Sequence, residues 1–269
     1  MKTEKHNGQK DSRNRLVLDQ SSLTALFDDQ QGEIYRCVIE LAMDAGLPFA
    51  LGGGFAINAY TGLSRNTKDL DLYVLPRDRT AMIDVLNRAG LRDYYDQAPY
   101  DRGWIYRGFD NGTIVDVIWE MANHRSQVDR HWLTRGPLVE VEGMQLRLLP
   151  PEELLWGKLY VLQRDRCDWP DILNLLYATG EDLDWQRLLD RVGRDDGLLA
   201  GVVTVFAWLC PGRAGNIPAW LWQRLRLPEP VINSSVEVNR DHVVLIDSRP
   251  WFSPVLNPEP FQPAAAGTR

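Results

Sequence analysis

The sequence is poor in cysteine and lacks any long apolar run. Its 269 residues include three cysteines, which lie far apart at positions 37, 167 and 210. This odd and dispersed set excludes a disulfide framework and a cysteine-rich zinc site, so we expect a reducing, cytoplasmic setting. No stretch of about 18 apolar residues is present, so we expect no membrane span. The first fifteen residues also lack the apolar segment of a secretory signal.

An excess of positive charge is absent as well. The net charge is −7 and the pI is about 5.2, which argues against a protein that coats nucleic acid, although a local basic groove stays compatible with it. Apolar residues make up 44% and charged residues 25% of the chain. These values are close to globular averages, so the chain can bury a core. At about 150 residues per domain, the length fits one large domain or two small ones.

Hydropathy patterns divide the chain into a mixed α/β part and a helical part. Before Pro150 they predict helices over about 31–45 and 80–91, and strands at Phe49–Leu51 and in DLDLYVLP, GWIYRGF, GTIVDVIWE and the hairpin LVEVEGMQLRLL. After Pro150 a helical period runs through 151–226, enough for four or five helices. The predicted fold class is therefore α+β: a core with a mixed sheet, followed by a C-terminal helical subdomain.

The predicted boundaries follow from composition. Residues 1–15 are polar and basic without periodicity, which predicts a disordered arm. The core then covers 16–149 and the helical subdomain 150–227. The last segment, 228–269, holds seven of the sixteen prolines. It predicts an extended tail, with one short strand at HVVLI.

Two acidic residues lie on one face of a predicted strand. Side chains alternate along a strand, so Asp69 and Asp71 share a face while Leu70 and Leu72 point into the core. Two adjacent carboxylates repel each other, and a divalent cation removes that repulsion. The pair therefore predicts a metal site, and the alternative interpretation is a solvent-exposed polar face of an edge strand.

A third carboxylate, Asp116, lies within the apolar strand TIVDVIWE. A charge buried there without a partner would cost several kcal/mol, so it needs a cation, an ion pair or a pocket. If its strand lies beside that of Asp69 and Asp71, the three carboxylates converge. The alternative is an ion pair with a nearby arginine such as Arg107.

A glycine turn precedes the acidic strand. Gly52, Gly53 and Gly54 link an apolar strand to a short predicted helix at about 55–60. Glycines let the backbone approach a ligand closely, and a helix N-terminus favours phosphate. Just before the acidic pair lie Arg65, Thr67 and Lys68, which can bind anions. An ordinary turn is the alternative interpretation.

The combination GGFAINAY, SRNTKDLDLYV and IVDVIWE resembles the DNA polymerase β-like nucleotidyltransferase superfamily. The long gap between Gly54 and Asp69, with Arg65-Asn66-Thr67 before the acidic pair, resembles the branch of AbiEii-type toxins and related uncharacterised bacterial nucleotidyltransferases. The resemblance covers about residues 30–190. It is specific in its combination of motifs and not in any single one.

This resemblance implies an enzyme that moves a nucleoside monophosphate from an NTP to a hydroxyl and releases pyrophosphate. Asp69, Asp71 and Asp116 would bind two Mg²⁺ or Mn²⁺ ions, and Asp116 would also help to deprotonate the acceptor. The acceptor stays open among a small molecule, a tRNA end and a protein. The toxin branch implies an antitoxin partner. The alternative function is a non-catalytic module that binds a nucleotide or a partner protein.

The first helix after the core carries further candidates. Lys158 lies beside an apolar stripe, where it either snorkels to solvent or meets an anion. Lys158, Arg164 and the pair Asp168 and Asp171 match the same branch, which implies that Lys158 contacts the triphosphate. Asp168 is also a candidate helix N-cap. Asp171 is a candidate partner of Lys158 or of Arg166.

Aromatic residues are numerous, with ten tryptophans in the chain. Their spacing favours core packing for most of them. Trp104 and Tyr106 lie on the strand that precedes Asp116, and we expect them to flank an acceptor pocket.

Overall fold

The computed structural model describes residues 30–62, 67 and 69–246. The arm predicted at 1–15 lies outside these residues, and the predicted tail is described only as far as Ile246. The predicted domain boundaries stay a prediction. No helix in the described ranges is long and apolar enough to cross a bilayer.

The first half contains both helices and strands, as the hydropathy pattern predicts. In chain order they are α1 (Gln30–Asp44), β1 (Phe49–Leu51), α2 (Gly53–Thr61), β2 (Asp69–Val74), α3 (Arg79–Arg88), β3 (Arg92–Asp93), β4 (Ile105–Asp110), β5 (Thr113–Ile118), α4 (Arg130–Thr134), β6 (Leu138–Val141) and β7 (Met144–Arg147). The second half is helical: α5 (Pro151–Leu159), α6 (Trp169–Thr179), α7 (Trp185–Val192), α8 (Asp196–Leu209), α9 (Ala219–Arg224) and α10 (Arg240–Leu245). Short 3₁₀ turns lie at Pro76–Asp78, Tyr94–Asp96, Gly193–Asp195 and Ala214–Asn216.

Five strands form one mixed sheet in the order β1-β2-β5-β4-β3. The central strands β2 and β5 are parallel and the other neighbours are antiparallel. The turn between β4 and β5 contains Asn111 and Gly112, both with positive φ, which suits a tight hairpin. The predicted hairpin around Glu142 and Gly143 forms the separate two-stranded sheet β6-β7. The fold class predicted from the sequence is thus confirmed.

Alternation along β2 separates the core from the candidate site. Leu70, Leu72 and Val74 are fully buried, while Asp69 and Asp71 on the other face are only partly buried. Helices α1 and α3 contact each other, and both contact β5. Burying a leucine side chain contributes about 1.5–3 kcal/mol, so this alternation fixes which face the carboxylates occupy.

Two buried hydrogen bonds tie the residue Leu149, just before α5, to strand β1 and to helix α2. The Leu149 N–H donates to the Leu51 carbonyl oxygen at 2.8 Å. The Tyr60 hydroxyl donates to the Leu149 carbonyl oxygen at 2.7 Å. Because Leu51 directly precedes the glycine turn and Tyr60 lies on the helix that follows it, these bonds fix where α5 begins relative to the acidic strand.

Two local predictions were wrong. Residues 242–245 of HVVLI lie in helix α10 and not in a strand, because the Asn239 side chain caps the helix at the His242 N–H and the His242 ring stacks on Trp208 with centroids 3.9 Å apart. Helix α2 begins at Gly53, two residues earlier than predicted, because the Ala56 N–H already donates to the Gly52 carbonyl.

An ion pair joins the cap of α4 to α7. Asp129 accepts from the His131 N–H at 2.7 Å and from Arg191 Nη2 at 2.6 Å. Burial raises the pKa of Asp129, but Arg191 and the backbone donors outweigh this effect and lower it overall. The resulting stability is therefore present above the ordinary value of 3.8 and is lost as the pH falls through the lowered pKa.

We predict that Asp129→Asn lowers the free energy of unfolding at pH 7 by up to about 1 kcal/mol, because the charge is lost while the cap is kept. Urea denaturation at a series of pH values measures this difference. The variant and the wild type should converge in acid, whereas Asp84→Asn, an exposed position on α3, should change little. A difference for Asp129→Asn that persists unchanged below pH 3.8 would contradict the assignment.

Candidate active site

A cavity of about 670 Å³ lies between the acidic face of the sheet and the first helix of the helical half. One side is formed by β2, β4 and β5 together with the start of α2. The other side is formed by α5 and the segment 161–168, with Trp132 of α4 also in the wall. The cavity is thus built from both halves of the chain.

The three predicted carboxylates converge in the wall of this cavity. Strands β2 and β5 pair in a register that places Asp71 opposite Asp116. Asp69, Asp71 and Asp116 each offer an oxygen, and these three oxygens lie within 4.8 Å of one another. The parallel pairing required for convergence is therefore present. This spacing suits a hard divalent cation, whose preferred ligands are carboxylate oxygens.

Asp116 also forms the ion pair that the sequence offered as the alternative. Arg107 lies opposite Asp116 across β4 and β5. Its Nε donates to Asp116 Oδ1 at 2.8 Å and its Nη2 to Oδ2 at 2.6 Å. Burial raises the pKa of Asp116, and Arg107 partly opposes that rise. A carboxylate has about four lone-pair sites, so this bidentate pair leaves room for a metal ion.

The pKa of the Asp71 carboxyl group indicates whether the cluster of carboxylates suits a metal ion. Burial first, and then the charges of Asp69 and Asp116, raise the pKa of Asp71 well above its ordinary value. Carboxylates that mutually disfavour ionisation are stabilised as anions by a shared cation. The chemistry of this donor set therefore fits Mg²⁺ or Mn²⁺, which would bind Asp69, Asp71 and Asp116.

Both predicted glycines lie against side chains of the acidic strand region. A Cβ added at Gly53 would lie 1.5 Å from Asp71 Oδ2, and Gly53 has a φ of +51°. A Cβ added at Gly54 would lie 2.5 Å from Thr67 Oγ1. The Thr67 hydroxyl itself donates to the Asp69 carbonyl oxygen at 3.1 Å. The glycines thus make room for Asp71 and Thr67, and their contact with phosphate stays a prediction.

The anion-binding candidates divide into three groups. Arg65 and Lys68 lie outside the described residues. Thr67 and Lys158 line the cavity. Arg164 is exposed and does not contribute to the lining, whereas Arg166, which the sequence suggested only as a partner of Asp171, does contribute.

Lys158 is buried in an ion-pair network. Its Nζ donates to Asp168 Oδ2 at 2.9 Å and to Asp171 Oδ2 at 2.7 Å, which confirms Asp171 as its partner. Arg166 donates twice to Asp168, each time at 3.1 Å. Burial raises the pKa of Asp168, but these cations outweigh burial and lower it.

Two sequence interpretations need correction. Asp168 occupies the N-cap position of α6 but makes no capping hydrogen bond, because its carboxylate binds Lys158 and Arg166 instead. Trp104 lines the cavity, but Tyr106 does not. The Tyr106 hydroxyl contacts Asn87 of α3 at 3.5 Å. Side chains alternate along β4, so Tyr106 lies on the face opposite to Arg107, whereas Trp104 precedes the strand.

Glu153, in the first turn of α5, lines the cavity although no sequence motif predicts it as a site residue. Glu153 is fully buried and accepts from Arg187 Nη2 at 2.8 Å and from Arg191 Nε at 3.1 Å. Arg187 and Arg191 lie one helical turn apart on α7 and bind an acid in the first turn of α5. The contact therefore joins residues that are far apart in the sequence. No local pattern reveals it.

A comparison with protein families now identifies the class of the chain. The chain belongs to a family of uncharacterised nucleotidyltransferases, whose model matches residues 13–196. It is therefore a transferase of the nucleotidyltransferase class. No curated protein matches the chain significantly.

Several solved structures are distantly similar. The antibiotic-resistance factor ANT(2'')-Ia, in complex with adenylyl-2''-tobramycin, matches 66% of this chain and 100% of its own at 16% identity and a TM-score of 0.43. The lincomycin-bound lincosamide antibiotic adenylyltransferase LnuA matches 53% and 94% at 14% identity and a TM-score of 0.40. An antigenic nucleotidyltransferase-like protein from Paracoccidioides brasiliensis matches 69% and 93% at 16% identity and a TM-score of 0.36. Likenesses this distant carry no argument about the substrate.

We predict that Gly53→Ala weakens binding of Mn²⁺ by about 10- to 100-fold, because the new methyl group displaces the Asp71 carboxylate. Isothermal titration calorimetry measures the affinity. Gly197→Ala in α8 is the matched control, since a Cβ there meets nothing within 4 Å. Unchanged affinity in Gly53→Ala would show that Asp71 does not bind the ion.

We predict that Lys158→Met lowers the free energy of unfolding by about 3–5 kcal/mol, because Asp168 and Asp171 then lose a buried cation. The double variant Lys158→Met/Asp171→Asn removes one of the two carboxylate charges that face Lys158 and should recover part of the loss. Urea denaturation measures both changes. A loss below about 1 kcal/mol, the range of exposed ion pairs, would contradict this account.

Proposed function

We propose that this chain is a metal-dependent nucleotidyltransferase that moves a nucleoside monophosphate from an NTP to a hydroxyl acceptor. The observation that carries the proposal is the carboxylate cluster. Asp69, Asp71 and Asp116 come together on adjacent parallel strands, in the wall of a cavity, in a chain of the nucleotidyltransferase family. Binding of a nucleotide alone would not require three carboxylates within 4.8 Å.

The reaction forms one bond and breaks one bond. The acceptor oxygen attacks the α-phosphorus, the bond to the bridging oxygen of pyrophosphate breaks, and the hydroxyl proton is lost. Divalent ions at the cluster would offset charge on the entering and leaving oxygens. Asp116 is the proposed proton acceptor. The bidentate contact of Arg107 fixes the orientation of its carboxylate.

Lys158 is the proposed contact to the triphosphate. Its ammonium group has three N–H donors, and Asp168 and Asp171 occupy two of them. One donor therefore remains for a phosphate oxygen, and the two carboxylates fix its direction. Arg166 lies on the same cavity wall and offers a second cation. Gly53, Gly54, Thr67, Arg65, Lys68 and Arg164 stay predicted phosphate contacts.

The finer features of the resemblance are also proposals. An AbiEii-type relationship, an antitoxin partner and a cytoplasmic location rest on the sequence motifs and on the three cysteines. The acceptor stays open among small molecules, RNA ends and proteins. A non-catalytic binding module remains the alternative, and it would retain binding of nucleotide without transfer.

The first test is the melting temperature with each of the four NTPs, with and without Mg²⁺. A ligand that binds only the folded state at 100 times its dissociation constant adds about 2.7 kcal/mol of stability, which a thermal scan resolves. We expect a Mg²⁺-dependent rise with one or two NTPs. We expect no rise in Asp69→Asn/Asp71→Asn.

The control is Asp84→Asn, which should respond like the wild type because it lies on α3 outside the cavity lining. Transfer assays with labelled NTP and RNA, small-molecule or protein acceptors then follow. A thermal response without transfer to any acceptor would favour the binding module. No response to any NTP would refute the proposed function.

A further inference from the structure

The face of β2 that carries the carboxylates also carries a tyrosine. Side chains alternate along the strand, so Tyr73 follows Asp69 and Asp71 on the same face, and all three residues line the cavity. Across the pairing with β5, Tyr73 lies opposite Ile118, two residues beyond Asp116. The tyrosine is thus the next side chain after the predicted metal ligands along this wall of the cavity.

The Tyr73 hydroxyl is accessible and has no partner in the part of the chain that the structure describes. It makes no hydrogen bond to a described residue, and it does not belong to the sealed polar atoms that lack a partner there. The side chain is only partly buried. The hydroxyl therefore keeps accessible surface, and because Tyr73 lines the cavity, a molecule in the cavity can reach it.

Packing holds the Tyr73 ring against the glycine turn. The ring stacks on Trp132 with centroids 5.7 Å apart. A Cβ added at Gly52 would lie 2.2 Å from Tyr73 Cε2, which is bonded to the ring carbon that carries the hydroxyl. Asp71 Oδ2 lies just as tightly against the next residue, Gly53. The phenol end of Tyr73 and the carboxylate of Asp71 therefore lie against consecutive residues of the same turn.

Charges from both walls of the cavity act on this hydroxyl. Burial is the first cause that raises the pKa of Tyr73, and Asp71 then raises it more than Asp116 does. Arg166, on the opposite wall, lowers this pKa. The stronger effect of Asp71 agrees with the position of the ring at the glycine turn, and the effect of Arg166 agrees with a hydroxyl that faces across the cavity.

A neutral donor suits a position beside carboxylates. Two cations of the cavity wall are already bound to acids, since Arg107 is paired with Asp116 and Lys158 with Asp168. A phenol carries no charge at neutral pH, so it forms no ion pair with Asp71. Its proton stays available for an oxygen of a bound substrate.

We propose that the Tyr73 hydroxyl donates a hydrogen bond to a phosphate oxygen of the NTP. The assignment rests on the proposed nucleotidyl transfer, which brings the phosphates to Asp71. An ionised phosphate oxygen can only accept, so it pairs with this hydroxyl and not with the neighbouring carboxylates. The ring lies at the turn beside Asp71 and not beside Asp116, the proposed proton acceptor. The partner of the hydroxyl is therefore a phosphate of the NTP and not the acceptor hydroxyl.

The test compares Tyr73→Phe with the wild type in calorimetric titrations. The probes are each NTP with Mg²⁺, and inorganic tripolyphosphate with Mg²⁺, which has neither base nor ribose. The variant keeps the ring and removes the hydroxyl. Binding of the NTP and of tripolyphosphate should therefore both weaken about 10- to 100-fold, the effect of one hydrogen bond to a charged group.

Two controls separate the contact from a structural role. Tyr95→Phe removes the hydroxyl of an exposed tyrosine outside the cavity lining, so it should bind both probes as the wild type does. Without ligand, Tyr73→Phe should melt at the same temperature as the wild type, because the hydroxyl that it removes bonds to no described residue.

The outcome distinguishes this inference from the proposed function. If an NTP binds Tyr73→Phe as tightly as the wild type, the contact is refuted while the proposed function stands, and a lower rate of transfer would then assign the hydroxyl to the acceptor. A loss for the NTP without a loss for tripolyphosphate also refutes it, because the partner is then in the nucleoside. If Tyr73→Phe weakens tripolyphosphate but no NTP stabilises the wild type, the phosphate contact stands and the transferase proposal fails.

Discussion

Repulsion among three carboxylates is the constraint on which the arrangement of the sheet depends. The register of β2 against β5 places Asp71 beside Asp116, and no shift by one residue would keep both the acids together and the leucines of β2 buried. Arg107, on the next strand, partly compensates this charge. The glycine at position 53 leaves the space that Asp71 occupies. The pairing of β2 with β5, the arginine on β4 and the turn at Gly53 are thus all adapted to one cluster of like charges.

The helical half contributes charge of both signs to the same cavity. Helix α5 carries Lys158, which Asp168 and Asp171 fix, and Glu153, which Arg187 and Arg191 fix. These side chains come from three successive helices, so their ion pairs also join α5 to α6 and α7. The same ion pairs thus position Lys158 and Glu153 in the cavity wall and hold helices α5, α6 and α7 together.

The parts of the fold and site that follow local patterns could be predicted from the sequence. Period-two alternation predicts β2 and the shared face of Asp69 and Asp71, and an apolar run after the turn residues 110–112 predicts β5. For Asp116 the sequence leaves two alternatives open, convergence with Asp69 and Asp71 or an ion pair with Arg107. The structure contains both the ion pair and the convergence, because a carboxylate has more lone pairs than one arginine uses. The environment of Glu153 could not be predicted, because its partners lie over thirty residues away on another helix. HVVLI was assigned wrongly because a side-chain cap and a ring stack outweighed its β-branched composition.

Helix α5 also sets a length scale within the cavity. Glu153 and Lys158 are five residues apart on one continuous helix, so their Cα atoms differ by about 7.5 Å along its axis. An α-helix does not stretch appreciably, so the distance along its axis between the positions of these two side chains is fixed. Inserting one residue between them would rotate Glu153 by about 100° away from its position relative to Lys158. We therefore expect members of the family to tolerate insertions within this short helix far less than insertions in the loops at either end.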